Sequence, residues 1–348
     1  MMVASKHYTA NPERSLIRPG VDVGRPIRIG FINNPQSGRN RRRNSMRKIL
    51  AALAQYPEVE HYEVSGLQEM TAAASELLHH GAEVIAVNGG DGTAHAVLTA
   101  LLRECSSDAL PLLAVIPGGT TNTTANDLGT REHPTVAVPR LLEQAHAGRL
   151  DGVVERRSII RVEIAADVPA LYGTVFGAGA VYHGVKYCHE HIYTKGLRGE
   201  LASGLTVAVF AYKVMRGETG ILFPPLHVSG SVDGKELPQR ELFGIVIATV
   251  RRIFLNLRPF WGTESGAMQF SMLGYRPENF SRALVEMLRE KPGKYLLNER
   301  CFTSHNYDEI VLNLDSGFML DGELYLPRPG TPLTLTSGYT APFLRPLR

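Results

Sequence analysis

The chain has 348 residues, 44% of them hydrophobic and 20% charged, with a formal net charge of +3. That composition excludes a disordered or fibrous chain and leaves room for two domains, each with a core of its own. So mild a basic excess gives no argument for a nucleic-acid partner. Cys105, Cys188 and Cys301 are far apart and show no paired spacing, which points to reduced thiols in a cytoplasmic protein rather than to a disulfide frame or structural zinc.

Residues 1–25 contain no apolar run of signal-peptide length and read as a flexible tail. From Ile27 short apolar runs alternate with helical patterns. "IRIGFIN" reads as a strand, and "RRNSMRKILAALAQY" as an amphipathic helix with Met46, Ile49, Leu50 and Leu53 on one face. "VEHYEVS" is a second strand, and "MTAAASELLHH" a second helix ended by Gly81. "EVIAVNG" and "PLLAVIPGG" are further strands around the helix "TAHAVLTALLREC"; another helix is expected from near Pro139 to Gly148. Nearly solid apolar strands alternating with helices predict an α/β domain whose parallel sheet is covered on both faces, with ligands at the carboxyl ends of the strands. After about residue 155 the pattern becomes mainly antiparallel β, with a hairpin turn at Asp233-Gly234 and helical patterns near 181–192, 198–216 and 278–290. The domain boundary falls near 153, giving units 26–153 and 154–338. The longest apolar stretch starts at Leu205, is too short to span a bilayer and carries Lys213.

Three of the parallel-type strands run into polar loops that bear glycine: "NNPQSGRN" (Asn33 to Asn40), "NGGDGT" (Asn88 to Thr93) and "PGGTTNTTAND" (Pro117 to Asp127). All three should reach the same sheet edge. Glycines there let backbone approach a ligand closely, and amides at helix starts favour phosphate. Ser37, Thr93, Thr120 and Thr121 add hydroxyls. Asp91 would repel bare phosphate, so it either binds Mg²⁺ beside the phosphates or anchors the loop by accepting backbone N–H bonds. Neither a Walker-type loop nor the protein-kinase motif set occurs. "GAGAVYHG" from Gly177 imitates a dinucleotide fingerprint, but its last glycine is misplaced.

"NPQSG" at 34–38, "GGDGT" at 89–93, "PGGTTN" at 117–122 and "LDGE" at 320–323 resemble, in order, the motifs of the diacylglycerol kinase catalytic-domain family. That family includes bacterial lipid kinases and the sphingosine and ceramide kinases, with NAD kinases as more distant kin. The resemblance implies a nucleotide-binding α/β domain, a β-sandwich-like domain that presents the lipid, ATP with Mg²⁺ in the cleft between them, and a final segment, 339–348, that returns to the first domain. It assigns nucleotide contacts to Asn34, Ser37, Gly38, Ser65, Gly89, Gly90, Asp91, Gly92, Thr93 and Thr120. Catalytic roles fall to Asp321, as general base on the lipid hydroxyl, and to Asp91; Asn122, Asp127 and Glu323 are accessory. The implied activity is transfer of the ATP γ-phosphate to a lipid alcohol, diacylglycerol first, by an enzyme that touches the inner face of the membrane transiently. The alternatives are a kinase for a soluble acceptor such as NAD, or a sensor that kept the fold and lost turnover.

The sequence departs from the family's pattern in three places. Asn122 is followed by Thr123, with an aspartate only at Asp127; "FGAGAVYHGV" lacks the family's aspartate; and "TESGAMQF" has Ser265 before Gly266, which puts the family's structural Mg²⁺ in doubt. The basic run Arg39 to Lys48 reads either as a solvated helix start or as a phosphate or headgroup contact. Phe254, Phe260 and Trp261 beside Arg251, Arg252 and Arg258 read as core packing or as an interfacial lip. His79, His80, His183, His189 and His191 form no ligand set, and no metal is assigned to them.

Overall fold

The computed structural model describes residues 17–120, 122–187, 223–250, 252–253, 257–275, 279–289, 292–298 and 301–346. The patterns read near 198–216, with Leu205 and Lys213, and Thr121, Cys188, His189, His191, Arg251 and Phe254 lie outside the described residues.

In chain order the first half comprises β1 (Ile17–Asp22), β2 (Ile29–Asn33), α1 (Arg43–Leu53), β3 (Glu60–Glu63), α2 (Leu67–His79), β4 (Val84–Gly89), α3 (Asp91–Glu104), β5 (Leu112–Pro117), α4 (Thr123–Asp127) and α5 (Pro134–His146). The second half comprises β6 (Arg149–Glu163), β7 (Leu171–Gly173), β8 (Val175–Gly179), α6 (Ala180–Tyr187), β9 (Leu226–Val232), β10 (Lys235–Ala248), β11 (Met268–Gly274), α7 (Phe280–Leu288), β12 (Phe302–Tyr307), β13 (Glu309–Leu314), β14 (Phe318–Leu320), β15 (Glu323–Tyr325) and β16 (Leu333–Arg345).

Strands β5, β4, β2 and β3 pair in parallel in that order. Successive side chains of a strand point to opposite faces, so one continuous apolar run supplies two cores. Ile32, Ile85, Val87, Leu113 and Val115 pack with α2 and α3 on one face. Phe31, Val84, Ala86, Leu112, Ala114 and Ile116 pack with α1 and α5 on the other. This double burial explains why the strands have no polar alternation.

The second half is antiparallel and has its own core, built from β6, β8, β9, β10, β11, β13, β14 and β16 around Phe176, Phe270, Ile245 and Phe318. α7 lies outside that sheet. Its Ala283 and Met287 pack with Val175 and Met319, and Phe260 and Trp261 are partly buried in the same cluster. β16 joins the halves: it pairs antiparallel with β13 and β6, then runs parallel to β5 through Phe343 and Leu113.

Two sequence expectations are corrected. Residues 17–22, assigned to a flexible tail, form β1 against β6, with a register shift between Pro19 and Val21. Tertiary pairing supplies what local propensity lacks, and the bulge accommodates a proline that cannot donate. α5 begins at Pro134, not near Pro139. His133 caps it by accepting the Thr135 amide, Pro134 stands in the first turn, and Pro139 is carried inside the helix. The cap and the buried Ala137, Val138, Leu141 and Leu142 outweigh the hydrogen bond that an internal proline forfeits.

Candidate active site

The three glycine-bearing loops interlock at the carboxyl ends of β2, β4 and β5. The Asn34 amide donates to Thr93 Oγ1 at 2.9 Å, and its Oδ1 accepts the Gln36 N–H at 2.9 Å. Asn40 donates to the carbonyls of Asn34 and Asn88, and Asn88 donates to Asn33 Oδ1 at 2.7 Å. Asn33, Asn34, Asn40 and Asn88 are all buried, so this ladder of amides fixes the first loop against the second. Ser37 Oγ accepts the Gly90 N–H at 3.2 Å.

The glycines are places of close approach. A Cβ on Gly38 would overlap Thr120 Oγ1, and one on Gly119 would overlap the Gly90 backbone. A Cβ on Gly118 would come within 2.5 Å of both the Asn40 and Asn88 amide groups. The first α3 rung is the bond from the Ala94 N–H to the Gly90 carbonyl. The amides of Asp91, Gly92 and Thr93 therefore precede the ladder and stand at the positive end of the helix. Arg39 lies beside these loops, its N–H donating to the Gly118 carbonyl at 2.8 Å; after burial, the charges of Arg39, Arg42 and Lys48 are the next influence holding His133, at the start of α5, below the ordinary histidine range.

Asp91, expected to be catalytic, is a partly buried brace. One carboxylate oxygen accepts the Thr123 N–H at 3.0 Å, and the other accepts the Thr124 N–H at 3.1 Å. It thus caps α4, a helix that was hidden in the third loop. Burial pushes the Asp91 carboxyl up from its ordinary range; the two amides oppose the shift, and Asp321 nearby adds to it. These two amide contacts supply the loop-anchoring role that the sequence left open beside Mg²⁺ binding. Asn122 is also a brace, with φ of 52° and a side chain that both accepts from and donates to Gly119.

The "LDGE" motif arrives from the second half as the β14–β15 hairpin. Leu320 pairs with Glu323, and the turn residues Asp321 and Gly322 have φ of 49° and 94°. Both values are left-handed, as a two-residue hairpin turn of this hand requires. Asp321 is therefore a turn residue and a site residue at once. Its Oδ1 accepts the Thr174 N–H, the Thr174 hydroxyl and the Val175 N–H at 3.1, 2.9 and 2.8 Å, and its Oδ2 shares the Thr174 amide at 3.0 Å. His95 Nδ1 stands 3.5 Å from Oδ2. Glu323, exposed, lies over the phosphate-type loop: a Cβ on Gly92 would meet its Oε1 at 2.5 Å. The turn thus sets Asp321 and Glu323 against the start of α3.

Two expected residues do not join the cluster. Ser65, at the end of β3, directs its hydroxyl to Glu69 at 3.0 Å. Asp127 faces β6, where it pairs with Arg157 beside Glu155. The brace on that strand uses the aspartate that the third loop shifts downstream.

Sequence reasoning missed His95, Tyr325 and Thr174. A lone histidine in "TAHAVLTALL" reads as core, and its partners come from the far half of the chain. Among the described residues, no group of three or more histidine, cysteine or carboxylate side chains could hold a metal on its own, and no helix is long and apolar enough to cross a membrane.

Comparison with known proteins agrees with this geometry. Residues 28–152 match the profile of the diacylglycerol kinase catalytic domain. The chain is 44% identical over 78 residues to a probable lipid kinase YegS-like protein of Stenotrophomonas maltophilia (strain K279a), covering 22% of this chain and 25% of that protein. It is 32% identical over 168 residues to the diacylglycerol kinase of Bacillus subtilis (strain 168), covering 44% and 53%. These matches span about a quarter and about half of the relatives' own lengths. A crystal structure of a diacylglycerol kinase from Bacillus anthracis str. Sterne has the same fold, with TM-score 0.59 and 15% identity over 91% of this chain and 96% of that one. Another structure from that organism gives TM-score 0.64 at 16% identity, with the same coverage.

Proposed function

We propose that this chain, whose residues 28–152 match the profile of the diacylglycerol kinase catalytic domain, transfers the γ-phosphoryl group of ATP to the hydroxyl of a lipid alcohol, diacylglycerol first, giving phosphatidic acid. The observation that carries this reading is the meeting of the Asp321–Glu323 turn with the amide-rich start of α3. One side of the cleft offers phosphate-binding backbone and the other offers carboxylates.

In this reading the amides of Asp91, Gly92 and Thr93, with Ser37 and Thr120 alongside, bind the nucleotide's phosphates, and Arg39, Arg42 and Lys48 add positive field. Mg²⁺, when bound, neutralises phosphate charge. Asp91 fits as its ligand even while bracing α4, because each of its oxygens accepts a single amide and keeps a lone pair. The exposed Glu323 fits as well, since Mg²⁺ is held by one or two carboxylates together with substrate phosphates. Asp321 accepts the hydroxyl proton as the new O–P bond forms, while the bond to the β-phosphate oxygen breaks and ADP leaves with that electron pair. An alcohol is a weak acid, so the proton moves late. The acceptor reaches the enzyme from the inner membrane surface, by transient contact of a cytoplasmic protein.

The test is transfer of labelled γ-phosphate from ATP, with Mg²⁺, to a panel of lipids in mixed micelles and to NAD, with Asp321→Asn alongside. Label in diacylglycerol, lost in the variant while ATP still binds, is the expected result. Label in NAD alone would move the protein to the soluble-acceptor class. ATP binding without any transfer would favour a sensor.

A further inference from the structure

His95 is buried, at 3% side-chain exposure, and lies on the α3 face that looks at the β14–β15 turn. Its Nε2 is 3.1 Å from the Tyr325 hydroxyl. Its Nδ1 is buried, makes no hydrogen bond of ordinary length and faces Asp321 Oδ2 at 3.5 Å. An unsatisfied polar atom in such a place costs stability unless it has a task.

The chemistry of the neighbours fixes which nitrogen carries the proton. A carboxylate oxygen only accepts, and the Tyr325 hydroxyl, 3.1 Å from Nε2, can donate its hydrogen there. Neutral imidazole then carries its hydrogen on Nδ1, aimed at the carboxylate. The opposite tautomer would turn a lone pair toward Asp321.

The two oxygens of Asp321 are unequal. Oδ1 takes three donors, whereas Oδ2 has only a share of the Thr174 amide. Oδ2 is thus the oxygen with a lone pair to spare, and it is the one that His95 faces. Gly173 keeps this oxygen accessible, since a Cβ there would stand 2.7 Å from it.

We propose that His95 is a positioning residue for phosphoryl transfer: as the Nδ1–H tautomer, held by Tyr325, it donates to Asp321 Oδ2 and fixes the carboxylate in the orientation that receives the acceptor's proton. The inference rests on the kinase reading above. It adds a three-residue chain, Tyr325–His95–Asp321, that couples α3 to the hairpin. A geometric error of about 1 Å at such a group can cost on the order of 10²-fold in rate.

Two measurements test it, and the first needs no turnover. Long-range ¹H–¹⁵N spectra of the full chain, with the His95 signal assigned by its loss in His95→Asn, should show Nδ1 protonated and Nε2 bare, and the Nδ1 shift should move in Asp321→Asn. A protonated Nε2 with a bare Nδ1 would overturn the proposal. The second compares His95→Leu with His95→Asn, whose amide can place a donor near the Nδ1 position. His95→Leu should lower kcat for labelled transfer into diacylglycerol about 10²-fold with KM for ATP within about 2-fold, and His95→Asn should recover at least about 10-fold of that loss. Equal loss in both folded variants, or a His95→Leu enzyme of wild-type kcat, would refute the positioning role. Should His95→Leu fail to fold, Tyr325→Phe takes its place: Nδ1 should stay protonated toward Asp321 while the Nε2 signal shifts with the loss of its donor, and kcat should fall; an unmoved Nε2 signal or an unchanged kcat would count against the chain. If the wild type phosphorylates no lipid yet shows the expected tautomer, the kinase reading fails while the hydrogen-bond chain stands.

Discussion

Gly92 and Glu323 come from opposite halves of the chain, yet a methyl group on the first would lie 2.5 Å from Oε1 of the second. The glutamate tip is the far end of a flexible side chain and can swing away. Gly92→Ala should therefore fold with nearly unchanged thermal stability but lose activity, because Glu323 is displaced from the phosphate loop. Gly119→Ala is the contrast: its Cβ would overlap the Gly90 backbone, which cannot give way without moving the second loop. A loss of about 1–3 kcal/mol is expected there by urea denaturation. Equal stability of the two variants would contradict the interlocked-loop description.

Asp91 offers a second test. Asp91→Ala leaves the Thr123 and Thr124 amides without their acceptor, at an expected cost of about 2–4 kcal/mol. Asp91→Asn retains an acceptor and should cost less. The pH dependence has a definite sign. Because burial raises the native carboxyl above 3.8, the native state holds this proton more tightly than the unfolded chain. Wild type then loses stability as pH rises from about 3.8 through the raised value, whereas the amide variant has no such proton to lose. The stability difference between wild type and Asp91→Asn should shift in favour of the variant over that rise, as read from chemical denaturation at several pH values.

The Arg25–Glu83 pair should behave in the opposite sense. Arg25 donates to both carboxylate oxygens at 2.9 and 2.8 Å, and the Arg28 amide adds a third bond. The Arg25 hydrogen bonds, then the Arg28 amide, bring the Glu83 carboxyl down to about 2 against a smaller burial effect. A lowered native value gives stability that is present above 4.5 and disappears as pH falls toward about 2. Arg25→Ala should be less stable than wild type at about pH 6 and indistinguishable from it near pH 2.

Phe318 is fully buried and stacks on Phe176 at 5.1 Å and on Tyr325 at 5.4 Å between ring centroids. Phe318→Ala should cost about 3–5 kcal/mol. It should also lower activity beyond its effect on the folded fraction, since the ring supports both ends of the turn that carries Asp321. Activity that tracks only the folded fraction would mean that the turn holds its shape without the stack.

Much of this arrangement is legible in the sequence because its causes are local. Solid apolar runs such as "VIAV" can be satisfied only by burial on both faces, and glycine-bearing loops after them must gather at one sheet edge. What stayed hidden depends on distant partners. β1 has no strand signal of its own and exists because β6 offers it an edge. α4 is too short for periodicity, and its start is defined by a carboxylate from another loop. Asp321 reads as a turn or as a site, and only its Thr174, Val175 and His95 neighbours reveal that it is both. Pro139 misled for a local reason: a proline suggests a helix start, and the true start is the better-capped proline five residues earlier.

β16 also bears on how the chain reaches this state. The free edge of β5 is closed by Phe343, which a ribosome adds long after Leu113 has emerged. Until then the nucleotide-type sheet presents an unpaired, largely apolar strand edge to solvent, a known template for misassociation. Contacts so remote in sequence slow folding. Shielding that edge during synthesis is therefore a task for a chaperone or for transient pairing within the chain, and truncations that remove β16 should aggregate even though every loop of the candidate site is intact.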